Sequence, residues 1–362
     1  MMEISFLPQD YLINAARKVD SIVESDVLLR ALRIKNTNSE AVKIKKLSFD
    51  IRIKNKTVKQ FIYPEEILEN LSQLLAKNVK NFRGETAQIF LGMGGFWNNE
   101  CISSKPTLEP NQETGILVEH FKILQKESID ECIVSVFYTQ KGKERKSIRK
   151  IPIIQYENKN RYIFPLKGTW LVVNNYDNIH IHRRCHSEEF AIDLIKLTND
   201  FTIVPEKNCD NKDYPDYGKE IYAVADGKVV DCFNEFPENP PGFRSRLPKE
   251  KWNKFKEKYG FVASVAGNYV ILQHPGDEYS FYAHMIPGSL TVKKGNFVKQ
   301  GQVIGLLGNS GNSDAPHLHF HLMNGPSILS ARGLPCHFSN IRDIANERMS
   351  FIEENNSIVN AE

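Results

Sequence analysis

At 362 residues, with 41% hydrophobic and 25% charged side chains, the chain has an ordinary globular composition and enough length for two domains. A net charge of +3, from 47 basic and 44 acidic side chains, argues against a nucleic-acid stripe or a strongly acidic partner. Six cysteines without CxxC spacing argue against both a zinc ribbon and a disulfide scaffold, and are expected to be reduced thiols.

The opening residues MMEISFLPQDYLINAARKVD hold no continuous apolar run and no small-residue cleavage site, and no later stretch approaches the ~20 apolar residues of a membrane span. These features predict a soluble protein without a Sec-type signal peptide, either cytoplasmic or exported by a non-classical route. From about Val27 to Pro165, short β-type runs such as LLRALRIKN, KIKKLSFDIRIKN, ECIVSVFYTQ and SIRKIPIIQY are separated by polar turns. The alternation of Leu47, Phe49, Ile51 and Ile53 fits a strand with one buried face. One helix is expected in YPEEILENLSQLLAKN, with Ile67, Leu68, Leu71, Leu74 and Leu75 on its apolar face. Residues 1–165 therefore read as a β-sandwich-like binding or scaffold domain, with no set of His, Cys and acidic residues suited to chemistry and with no partner indicated.

Glycine-punctuated β runs continue through residues 166–340. EIYAVADGKVVDCF predicts a hairpin around Asp226–Gly227, and NYVILQHPG with YSFYAHM another around Pro275–Gly276. Between them, KEKWNKFKEKY predicts a surface helix docked by Trp252, Phe255 and Tyr259. Residues 341–362 are polar and are expected to fray. The most informative run is HLHFHL. In a strand, His317, His319 and His321 share one face while Leu318, Phe320 and Leu322 enter the core, and a row of imidazoles suits a metal site or proton transfer.

FAIDL (190–194), YGKEIYAVADGKVV (217–230), GNYVILQH (267–274), YAHM (282–285), VKKGNFVKQGQVIGLLGNSGNS (292–313) and PHLHF (316–320) occur in one order. In these motifs the second half resembles the M23 family of zinc metallopeptidases, the LytM and lysostaphin type. The resemblance implies an all-β fold of antiparallel sheets, the duplicated hybrid motif, and one Zn²⁺ held by two histidines and an aspartate. It implies Asp193 and His319 as metal ligands and His284 and His317 as unligated catalytic histidines; His321, on the same strand face but two residues beyond the ligand, reads as groove lining. The common HxxxD motif is broken, since Glu189 stands four residues before Asp193. The remaining ligand is His182 by resemblance, with His186 as the alternative and Glu189 a further candidate. His274 reads as structural. The implied activity is that of a zinc endopeptidase cleaving peptide bonds, above all in peptidoglycan cross-links or stem peptides. Two alternatives stay open: an inactive M23-like module that binds and regulates a partner, and a peptidase for a non-wall peptide.

Overall fold

Strand alternation in the first half is realised as two packed sheets. The computed structural model describes residues 2–198, 202–203, 209–242 and 248–362, and divides into two units, Met1–Tyr156 and Glu157–Glu362. In the first unit, the long strand Ile22–Asn36 pairs antiparallel with Met2–Leu7, Arg17–Val19 and Glu113–Gln125. A second sheet is built on Val42–Ile53, flanked by Lys56–Pro64 and Glu131–Gln140, with Lys143–Ile154 beyond. Leu47, Phe49 and Ile51 are fully buried between the sheets with Val134, Val136, Phe121 and Leu32, so the alternating pattern fills a sandwich core. The helix Glu65–Val79 buries Leu68, Ser72, Leu75 and Val79. Ile67 and Leu74, expected on its apolar face, are exposed, because the buried stripe runs through every third or fourth residue from Leu68. A further helix, Gly84–Leu91, was not legible in the pattern.

The second unit is built on one large antiparallel sheet, and its central strands are Asn268–His274, Glu278–Met285, Leu318–Met323, Ile192–Ile195 and Gly168–Asn174. The hairpin at Pro275–Gly276 forms as expected. The one at Asp226–Gly227 does not: Glu220–Tyr222 pairs with Val303–Leu306 in a separate small sheet, while Gly227–Phe233 joins the large one. Here the chain turns a corner between two sheets, fastened by the Asp226 carboxylate, which accepts from the Gln300 backbone N–H at 2.8 Å and from Lys299 at 2.8 Å. The helix Lys249–Ala266 docks through Phe255 and Tyr259 on Phe236, at ring separations of 5.2 and 4.9 Å.

Two boundary expectations are corrected. The units divide after Tyr156 rather than after 165, because the segment 157–162 is tied into the second unit. Glu278, fully buried, accepts from the Lys159 N–H on both carboxylate oxygens at 3.0 Å, from Asn160 at 2.8 Å and from the Tyr162 hydroxyl at 2.8 Å. The polar end is not frayed either. Ser357–Ala361 pairs with Gly168–Asn174 on one side and Ile341–Arg342 on the other, burying Val359, since main-chain pairing inside a sheet does not need an apolar sequence.

Candidate metal and catalytic centre

Register brings Asp193 and His319 together, since they stand directly opposite on neighbouring strands. His319 Nδ1 lies 3.1 Å from Asp193 Oδ1. Behind them Leu318, Phe320 and Leu322 are buried in the core, as the alternation predicts. The third member arrives from a loop. A 3₁₀ turn at His182–Arg184 places His182 Nε2 2.7 Å from Asp193 Oδ2. That turn is pinned by Arg183, fully buried, whose guanidinium lies over the Tyr176 ring and donates to the Tyr176 carbonyl at 3.1 Å. Donor atoms of His182, Asp193 and His319 all lie within 4.8 Å of one another. Two imidazoles and a carboxylate, convergent, with Asp193 and His319 buried and His182 part-buried, are the donor set that suits a catalytic Zn²⁺.

Each of the first two donors has an outer partner. His182 Nδ1 donates to Glu188 at 3.2 Å, and Asn174 Nδ2 donates to Asp193 Oδ2 at 2.9 Å, the latter aimed by a bulge in the Gly168–Asn174 strand. Burial alone would lower His182 and raise Asp193. The charges and hydrogen bonds they exchange reverse this, lifting His182 to about 10 and holding Asp193 well below the ordinary carboxylate range. Burial likewise opposes ionisation of Glu188, but His182 and the nearby His319 hold it down at about 2. The pocket is therefore charged for a cation, which would take the place of the His182 proton.

His284 reaches the same pocket by breaking the pleat. Ala283 pairs with His319 and shares its face, so regular alternation would turn His284 away. Instead His284 has φ +66°, beside a register irregularity opposite Asn268–Val270, and its ring comes to 4.6 Å from His317 and 5.9 Å from His319. Such left-handed non-glycine residues and bulges re-aim side chains at functional sites. A carbonyl can only accept, so His284 Nδ1–H donates to Ser310 O at 2.8 Å and His317 Nδ1–H to Ala315 O at 2.9 Å. Both rings thus turn Nε2, a free lone pair, away from the backbone, and His317 Nε2 is 3.7 Å from Asp193 Oδ1. Burial, with the neighbouring imidazoles, keeps His284 well below the usual imidazole range and lowers His317 in the same direction. The Ser310 carbonyl can approach because glycines face each other there: a Cβ on Gly267, at φ +67°, would meet Ser310 Oγ at 2.3 Å, and one on Gly311 would meet Gly267 N at 2.2 Å.

His186 and Glu189 are buried near this loop but stand outside the three-donor cluster. His274 is held between the Asp226 carbonyl and Ser280 Oγ, both at 2.8 Å, as a structural residue. His321 corrects an expectation. It is 1% exposed and its Nδ1 lies 3.0 Å from His319 Nε2, so it backs a donor rather than lining a groove; the pleat indicated its face but not that Phe281 stacks over it.

Residues 254–329 match Peptidase family M23, a span that contains His284, His317, His319 and His321 but not His182 or Asp193. The chain is 47% identical over 58 residues to the peptidoglycan DD-endopeptidase ShyA of Vibrio cholerae, an alignment covering 16% of this chain and 13% of that protein. Over 107 residues it is 30% identical to the glycyl-glycine endopeptidase ALE-1 of Staphylococcus capitis, covering 29% and 22%. These matches span well under half the length of either relative. Among solved structures, the lysostaphin catalytic domain from Staphylococcus simulans is matched at 22% identity over 46% of this chain and 88% of that one, with a TM-score of 0.26. No helix among the described residues is long and apolar enough to cross a membrane. The part of the chain that resembles a known family is therefore residues 254–329, within the second unit, which match Peptidase family M23.

Proposed function

We propose that the chain is a zinc-dependent endopeptidase that hydrolyses peptide bonds in the cross-links or stem peptides of peptidoglycan. The observation that carries this reading is the cluster of His182, Asp193 and His319 beside two further imidazoles whose Nδ1–H groups are tied to backbone carbonyls. His182, Asp193 and His319 hold the zinc, whose chemistry when bound is to acidify water and polarise a carbonyl. His284 and His317 move the protons and donate to the oxygen that gains charge, roles open to imidazoles held in one tautomer. The peptidoglycan substrate is supported by the peptidoglycan DD-endopeptidases among its relatives. Residues 1–156 serve as a binding or scaffold module in this reading.

Metal analysis gives the first test. Purified protein, dialysed overnight, is expected to keep about one zinc per chain, because three protein donors form a single site. Zinc-loaded protein should release new amino groups from peptidoglycan sacculi or glycine-rich peptides, and a chelator should stop it. Absence of zinc together with absence of hydrolysis after zinc is restored would favour the inactive partner-binding module.

A further inference from the structure

The third histidine on the Leu318–Met323 strand has no role in the scheme above. His321 is buried, stacked on Phe281 at 4.8 Å with 24° between the rings, and its Nδ1 sits 3.0 Å from His319 Nε2. Among the described residues, its own Nε2 is buried without a hydrogen-bond partner. An apolar side chain could fill the same space against Phe281 without burying the unpaired Nε2, so packing does not account for an imidazole here. The contact with His319 does.

Resting on the zinc reading, we propose that His321 is a positioning residue that fixes the tautomer of the metal donor His319. With His319 Nδ1 turned to Asp193 as a lone pair for the metal, the His319 proton must sit on Nε2. Its acceptor is His321 Nδ1, which places the His321 proton on the unpartnered Nε2. All three donors then have an outer partner: Glu188 for His182, Asn174 for Asp193 and His321 for His319. This partner is neutral, unlike Glu188. It orients His319 without adding negative charge next to the cation.

The test is the zinc Kd of the full chain, measured by competition with a chromophoric chelator, for wild type, His321→Leu and His321→Gln. His321→Leu should weaken zinc binding about 10–100-fold, the range for losing an outer partner. Gln, whose Oε1 can accept from Nε2, should recover most of that loss. In ¹⁵N spectra of the zinc-loaded wild type, His319 should carry its proton on Nε2 and His321 on its own Nε2. Should His321→Leu fail to fold, the Gln variant and the wild-type spectra decide. An unchanged Kd in His321→Leu, equal losses in folded Leu and Gln variants, or a His319 proton on Nδ1 would each overturn the inference while leaving the zinc site intact. Wild-type protein that binds no zinc would overturn both.

Discussion

Alanine at His284 or at His317 is expected to leave zinc bound and to cut turnover by about 10²–10⁴, the contribution of a positioned acid–base group. Neither ring belongs to the three-donor cluster, so the metal's protein donors remain after either change. What is lost is an imidazole whose Nδ1 is tied to a carbonyl and whose Nε2 is free to exchange a proton. His319→Ala should behave differently and lose metal and activity together. Zinc content and kcat, measured on the same three preparations, separate the two classes. Zinc loss in His317→Ala with retention in His319→Ala would mean that the strand meets the metal one pleat away from the assigned position.

The second large effect concerns the loop donor. His182→Ala should abolish zinc retention through dialysis, whereas His186→Ala should keep it. Removing one of three protein donors costs more than the ~10–100-fold attached to an outer partner, and it also leaves Asp193 and Glu188, both buried, without the imidazole that joins them. His186 contributes no atom to the cluster. The opposite pattern would show that the approach loop carries the donor in another register, and indifference to both changes would turn attention to Glu189. Zinc per chain after dialysis, with far-ultraviolet circular dichroism as a check on folding, is the measurement.

How much of this was legible in the sequence depends on the range of each determinant. The strands of both units follow from period-two alternation, a local property, and so does the shared face of His317, His319 and His321. The pairing of Asp193 with His319 is a matter of register between segments 126 residues apart, and only the resemblance to a known family suggested it. His284 was harder still, because its position depends on one left-handed residue that breaks the very alternation used to read the strand. The burial of His321 does not follow from the sequence for a related reason: periodicity gives the face, whereas Phe281, from the next strand, decides whether that face is open. At Asp226 a good turn sequence predicts a hairpin that does not form, since turn residues mark where a chain bends but not which sheet it enters next.

The carboxylate of Glu278 has a practical bearing on dissecting this protein. Because its oxygens are met by Lys159, Asn160 and Tyr162, those residues act as a clasp on the sheet although they precede its first strand. An expression boundary drawn at residue 166, where the sequence alone suggests one, would strip the clasp and remove these hydrogen bonds from the Glu278 carboxylate, at roughly 1–3 kcal/mol for each buried polar group left unsatisfied. A fragment beginning at Glu157 keeps it. Inactivity of a shorter fragment would therefore report on this excision and not on the chemistry of the histidines.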